Sequence, residues 1–289
     1  MKRVEDVVQD IYALMESKDA DPSVDVEAEI DKFGESVKEL MRTEFGREKR
    51  EDNRRLRLSN IGRTDRYLWN HYNGTAGEEL QPHTYVKFMY GHLIEEMLLF
   101  LTRMAGHSVT DEQKVCKVEG VVGHMDCKID GIVTDVKSAS SFGFKKLKDG
   151  SLAFDDPFGY IDQIKAYAHS EGETQFGWLA MDKANGHLTY LKYDLENTDS
   201  DKLKGDITDR VKHIKKLVEQ PEPTEWCYQP VPDGKSGNSK LSIGCSYCQF
   251  KDHCYPELRV FKYSYGPKFL VDVVNEPRVQ EIKADEEGF

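Results

Sequence analysis

This chain has no hydrophobic run approaching the roughly 20 residues that a membrane-crossing helix requires. The opening stretch, MKRVEDVVQDIYALMES, is amphipathic and acidic, so it does not read as a secretory leader. No internal repeat is present, which excludes solenoid and propeller architectures. Positive charge is also short. With 40 Lys and Arg against 52 Asp and Glu, the net charge is -12, and no whole-molecule field gathers polyanions. Cysteine is scarce and unevenly placed: of six residues none precedes Cys116, and Cys245, Cys248 and Cys254 crowd into ten positions. In a reducing compartment such crowding points to metal ligation rather than disulfides. A cytoplasmic chain is the expectation.

Hydrophobic residues make up 38% and charged residues 32%, a balance that supports a packed core. Helical spacing runs through Val4, Val7, Val8, Ile11, Tyr12 and Met15, then through Ile30, Phe33, Val37, Leu40 and Met41. Asp21-Pro22-Ser23 separates the two helices. From Arg42 to Arg66 the chain carries nine Lys or Arg against five Asp or Glu, a local excess that suits phosphate oxygens or a solvated helix face equally. A helix is expected over Tyr90–Phe100, with Ile94, Met97, Leu98 and Leu101 inward. Two strand-like runs follow, KVCKVEGVVGHMDCKIDG and IVTDVKSAS, joined at Asp130-Gly131, a favoured hairpin turn. A helix beginning near Asp156-Pro157 comes next, then the strands QFGWLAMD and HLTYLKYD and a polar helix over 202–220. This order indicates a mixed α/β domain.

The hairpin carries the strongest chemical signal. Asp135 and Lys137 are two apart on one strand and share a face, and pairing through the turn brings Asp126 toward them. Two carboxylates and an ammonium on one face suit phosphodiester hydrolysis. Hard oxygen ligands hold Mg²⁺ or Mn²⁺, the Val136 carbonyl adds an oxygen, and Lys137 stabilises developing charge. Glu95 on the preceding helix is a candidate fourth ligand. DxK alone is common by chance, but GHMDCKIDG, TDVKSAS and QIKAY in succession are not.

That succession resembles the RecB-type branch of the PD-(D/E)XK nucleases, which includes CRISPR-associated RecB-like exonucleases and related phage exonucleases. The resemblance runs from about residue 55 to 258. It implies an α/β PD-(D/E)XK (restriction-endonuclease-like) core, Asp126 and Asp135 as metal ligands, Lys137 as catalytic, and Gln163 and Tyr167 as supports of the site. Where many members place a histidine four residues after a helical glycine, Gly91-x-x-x-Glu95 places a glutamate. Glu96 is its alternative if the register shifts by one, and His92 reads as a polar neighbour. The implied organisation is an N-terminal helical region (1–54), the nuclease core (55–225), a cysteine-rich segment (226–262) and a tail (263–289). The implied activity is a DNA exonuclease acting on ends or single strands in replication, recombination or repair, in a bacterium or phage-infected host. A structure-specific endonuclease and a non-catalytic DNA-binding or assembly subunit are the alternatives.

Cys245-x2-Cys248-x5-Cys254 has the spacing of thiolates converging on a soft metal or an iron–sulfur cluster. It is also similar to the C-terminal triplet of the iron–sulfur RecB-like nucleases. The resemblance points to a [4Fe-4S] cluster, with Zn²⁺ as the alternative, in a structural role. Gly62 stands where a fourth cysteine is expected. Cys227, eighteen residues before Cys245, is the substitute, and His253 is a second candidate. Cys116 and Cys127 read as packing residues. Expected DNA contacts are Arg55, Arg57, Arg63 and Arg66, together with Ser138, Lys145 and Lys146 in a loop after the catalytic strand, where phenylalanines interleave with lysines. The final ADEEGF is a candidate docking segment for a replication or recombination protein, or a disordered tail.

Overall fold

The computed structural model describes residues 2–46, 54–197, 203 and 205–282. The ADEEGF tail and the part of the basic stretch over 47–53 lie outside these residues. Among the described residues, no helix is long and apolar enough to cross a membrane. The chain divides into two compact units, Met1–Gly62 with His83–Lys212 and Arg63–Pro82 with His213–Phe289.

The first unit is mixed α/β. Helices α1 (Val7–Ser17), α2 (Val26–Phe45) and α4 (Pro82–Met104) belong to it. Its main sheet has the order β1 (Val109–Thr110), β4 (Cys127–Ile129), β5 (Ile132–Ala139), β6 (Gln175–Asp182), β7 (Leu188–Asp194). Only the β5–β6 pair is parallel. Helices α5 (Ser141–Asp149) and α6 (Tyr160–Glu171) make the crossover between these two strands, as parallel pairing demands. The first strand-like run divides at a second tight turn, Glu119-Gly120. There β2 (Val115–Val118) and β3 (Val121–His124) form a separate two-stranded sheet. Asp130 (φ 49°) and Gly131 (φ 85°) close the β4–β5 hairpin with both central residues left-handed, the backbone twist that tight hairpins favour.

The N-terminal residues are part of this core. Val4, Val7 and Ile11 pack with Ile94, Leu98 and Leu99 of α4 and with Cys127, Val136 and Leu179 of the sheet. The apolar stripe expected of α2 is not buried. None of its residues is buried, and it is held by Phe33 against Phe100 (centroids 5.1 Å apart) and by Arg103 on Glu29 (2.6 Å). Two expectations about the crossover also change. The serine- and glycine-containing stretch after Lys137 is helix α5, because Ser140 caps it through Gly143 N. Helix α6 begins at Tyr160 rather than Pro157. Asp156 still satisfies its first amides, accepting from Gly159, Tyr160 and Ile161 N.

The second unit holds α3 (Asp65–Asn73) and the end of α7 (Ile207–Leu217). It also holds two four-residue helices, α8 (Ile243–Ser246) and α9 (Lys251–Cys254), and a second sheet. That sheet has the order β12 (Glu281–Ile282), β10 (Arg259–Tyr263), β11 (Gly266–Asp272), β9 (Ser239–Lys240), β8 (Val231–Pro232) and is antiparallel throughout. Residues 263–282 are therefore not a tail. They complete this sheet, whose buried face contributes Val260, Phe269 and Ile282 to a small core with Leu241 and Cys245.

Candidate active site

Strand register assembles the site. Cys127 pairs with Thr134, which sets Asp126 against Asp135, and Asp126 Oδ2 accepts from the Val136 N–H at 2.8 Å. Lys137, two residues past Asp135, lies on the same face. Its Nζ stands 3.0 Å from Asp135 Oδ1 and 2.9 Å from Oδ2. The intervening Val136 points the other way, into the core with α1 and α4.

The crossover supplies the next layer. Gln163 on α6 donates from Nε2 to Asp135 Oδ1 at 3.2 Å, and Tyr167, one turn later and buried, hydrogen-bonds Gln163. A Cβ at Gly123 would lie 3.0 Å from the Tyr167 ring and 2.7 Å from Leu58 Cβ, so the absent side chain on β3 makes room for that tyrosine. From the other side α4 brings Glu95, whose Oε1 accepts from Gln113 Nε2 at 3.3 Å. Gly91 lets this helix come close to the end of β5, since a Cβ there would lie 3.3 Å from Ser138 Oγ.

Two participants carried no sequence signal. Tyr160 opens α6 with its ring centroid 5.0 Å from Lys137 Nζ, and Gln113 sits in the connection before β2. Only the tertiary arrangement brings either to the site.

The electrostatics are those of too many acids in too little water. Burial is the main cause that pushes Glu95 up to about 9, reinforced by the charges of Asp126 and Asp135. Burial and Asp135 push Asp126 up to about 7, and burial raises Asp135 against the pull of Lys137. For Lys137 burial works against the charged form, but Asp135 and Asp126 outweigh it and its affinity for the proton rises. Those two carboxylates therefore hold Lys137 as a cation. Asp135 is 1% exposed, and its Oδ2 has no partner with hydrogen-bond geometry. As the side chains stand, no three His, Cys, Asp or Glu among the described residues form a group that holds a metal ion. Asp126 is turned onto a backbone amide and Asp135 onto Lys137 and Gln163.

The basic residues divide by environment. Arg55 and Lys145 are exposed, Arg57 is half-buried with its backbone bridged to Val122, and Ser138 lies against Gly91. Lys146 is buried and engaged by the Asp155 carbonyl and carboxylate. Arg63 and Arg66 belong to the second unit. Arg63 stacks on Tyr67 (4.1 Å), while Arg66 pairs with Glu222 (2.6 Å) and covers Trp226 (4.8 Å). Arg66 is thus an internal tie of that unit.

All six cysteines are free thiols. Cys116 and Cys127 are fully buried in the first unit. In the second, Cys227, Cys245, Cys248 and Cys254 lie close enough to affect one another. Burial raises the Cys245, Cys248 and Cys254 thiols, Cys248 to about 11, and Cys227 adds to each. Thr64, which precedes α3, donates to Cys227 Sγ at 2.9 Å. His253 turns to Glu222 instead (3.2 Å). Gly62 has no room for a side chain. A Cβ there would lie 2.2 Å from the carbonyl oxygen of Gly159, and a Cβ at Gly159 would lie 2.1 Å from the Gly62 carbonyl carbon. The two backbones touch, so both residues must be glycine.

No family model matches the chain, and no curated protein sequence matches it. Two solved structures do, over part of its length. An alkaline exonuclease (LHK-Exo) from Laribacter hongkongensis aligns with TM-score 0.38 and 12% identity, covering 57% of this chain and 90% of that one. The structure of LHK-Exo in complex with dAMP aligns with TM-score 0.38 and 11% identity, covering 58% of this chain and 91% of that one.

Proposed function

We propose that this chain is a divalent-cation-dependent deoxyribonuclease of the PD-(D/E)XK type that hydrolyses phosphodiester bonds from DNA ends, preferring single strands. The observation that carries the proposal is the charge imbalance of the site. Buried Asp135 and half-buried Glu95 and Asp126 gather around one ammonium, Lys137, and one oxygen of Asp135 lacks a hydrogen-bond partner. Three carboxyl groups beside one ammonium could all ionise only by leaving two uncompensated negative charges in a poorly hydrated place, so without a cation Glu95 and Asp126 hold on to their protons, a costly arrangement for folding alone. The donor set, all hard oxygen, fits Mg²⁺ or Mn²⁺. Glu95, Asp126, Asp135 and the Val136 carbonyl would hold the ion, which when bound polarises the phosphoryl group and makes water a better nucleophile.

The chain's own groups do the rest. Lys137, kept protonated by Asp135 and Asp126, presents a fixed positive charge where negative charge grows on the phosphate. Gln163 fixes the rotation of the Asp135 carboxylate, and Tyr167 fixes Gln163. Tyr160 covers the side of Lys137 with its ring. In the second unit, Cys227, Cys245, Cys248 and Cys254 would hold a [4Fe-4S] cluster or Zn²⁺. The spacing of these cysteines and the electrostatic influence of their thiols on one another support that reading, and the role is structural.

The test is a cleavage assay on 5′- and 3′-labelled linear DNA, single- and double-stranded, beside closed circles. The expected result is stepwise loss from ends of linear DNA, abolished by chelation and restored by Mg²⁺ or Mn²⁺. Cutting of closed circles would identify an endonuclease on the same site. Binding without turnover under every condition would remove the catalytic reading.

A further inference from the structure

Helix α4 is two things in one element. From Ile94 onward it is a core helix, but its first ten residues stand almost wholly in solvent while carrying aromatic side chains. Tyr85 is 51% exposed, Phe88 50% and Tyr90 46%, with Val86 also exposed. Alanine or a polar residue would serve a bare helix face better, and exposed aromatics grouped this way mark a surface that meets something. Where α4 touches β5, at Gly91 and Ser138, a second such element begins: α5 carries Phe142, 64% exposed, with Lys146 Nζ 4.8 Å from the centre of its ring.

Charge separates the possible occupants. In a chain with 52 acidic residues among 289, the fifteen residues 80–94 and the thirteen residues 136–148 contain none. These two acid-free stretches meet at the Gly91–Ser138 contact and carry Lys87, Lys145 and Lys148 at the surface. A second copy of this acidic protein would bring no reason to exclude carboxylates at so many consecutive positions without pairing them. A strand of nucleic acid would: its phosphates are repelled by acids, and its bases offer flat faces to aromatic rings. Continuity decides the matter further, because the same helix ends its exposed half at Gly91 and delivers Glu95 one turn later.

We infer that the exposed half of α4 and the start of α5 form a stacking platform for single-stranded DNA. Tyr85, Phe88 and Phe142 take successive unpaired bases, while Lys87 and Lys145 meet the phosphates. The inference rests on the nuclease reading of the neighbouring carboxylates and assigns that site a strand whose bases are unpaired. Sequence preference is expected to be weak, since every base has a face to stack.

The experiment measures binding apart from cleavage. Fluorescence anisotropy with a labelled oligothymidylate, in EDTA, compares the full-length protein with the Tyr85→Ala/Phe88→Ala and Phe142→Ala variants. A companion oligomer of abasic sites has the same phosphates and no bases. Affinity for oligothymidylate should fall about tenfold or more in the double variant and less in the single one. Affinity for the abasic strand should start lower and stay unchanged. Cleavage of bis(p-nitrophenyl) phosphate, too small to reach the platform, should keep its rate in both variants. Equal loss on both oligomers, or no loss on either, overturns the platform while leaving the nuclease reading intact. A dimer that the double variant splits, with oligonucleotide affinity unchanged, also overturns it and assigns the face to self-association. If the wild-type protein neither binds nor cleaves DNA, both readings fall together.

Discussion

The carboxylate site of the first unit and the thiol group of the second hold reactive side chains in opposite ways. The carboxylates hang on paired strands. Register sets Asp126 against Asp135, parity sets Lys137 beside them, and a crossover helix adds Gln163. The thiols sit on turns and four-residue helices, tied by local contacts such as Thr64 to Cys227 and Phe250 N to Cys248 Sγ (3.4 Å). A sheet fixes positions before any ligand arrives. A run of turns has little to fix it, and gains order from whatever its side chains jointly hold. The first unit is therefore expected to fold around its own core and use its site. The second is expected to depend on its ligand for its fold.

The largest effect should come from the sheet-borne group. Asp135→Asn and Lys137→Ala are each expected to lower DNA cleavage by on the order of 10³-fold, read in single-turnover assays, with circular dichroism unchanged. Retention of more than a tenth of the rate in either variant would break the site assignment. The turn-borne group should respond in the reverse manner. Cys248→Ser should strip bound iron or zinc, measured by elemental analysis of anaerobically purified protein. It should also make residues 226–258 the first cleaved in limited proteolysis. Unchanged proteolysis would show that the second unit orders itself without a ligand.

Smaller effects sharpen the contrast. Crowding three carboxylates together should make the metal-free first unit less stable at neutral pH than it needs to be. Glu95, pushed up to about 9, binds a proton more tightly folded than unfolded. Between its ordinary range and about 9 the native state then holds more protons, and stability falls as pH rises through that window. Glu95→Gln is expected to reduce the fall, leaving the part due to Asp126, and to raise stability in EDTA by on the order of 1 kcal/mol, while losing the cation-dependent gain in Tm expected of the wild type. Urea titrations at pH 5.5 and 8.5 check this, and a lower midpoint for the variant at both values would refute it. The two glycine contacts should separate last. Gly62→Ala forces backbone against backbone and should cost about 1–3 kcal/mol. Gly91→Ala meets only the Ser138 hydroxyl, and the helix gains from losing a glycine, so its effect should stay within about 0.5 kcal/mol.

What was legible in the sequence follows the same division. Period-two alternation and an Asp-Gly turn determine a hairpin register, so the approach of Asp126 to Asp135 and Lys137 could be read from spacing alone. Helix α5 could not, because serine and glycine at its start look like a loop until Ser140 is seen to cap it. Strands β11 and β12 read as a tail because their pairing reaches residues distant in sequence, β11 to β9 and β12 to β10. Arg66 looked like a phosphate ligand, since nothing in RTDRYLW announces Glu222 or Trp226. Local pattern reveals what neighbours in sequence decide. Tyr160 beside Lys137 and the touching backbones of Gly62 and Gly159 are decided elsewhere.

The crossover between β5 and β6 also sets an order of assembly. Asp126, Asp135 and Lys137 belong to a hairpin closed by a two-residue turn, which forms on the microsecond scale and needs nothing beyond Ala139. Parallel pairing of β5 waits for β6, and Gln163 reaches Asp135 as that return is made. During synthesis the acids therefore meet one another before the side chain that orients them exists. A nascent chain halted near residue 150 would carry all three acids and the lysine, with the helix that bears Gln163 and the strand that pairs with β5 still unmade.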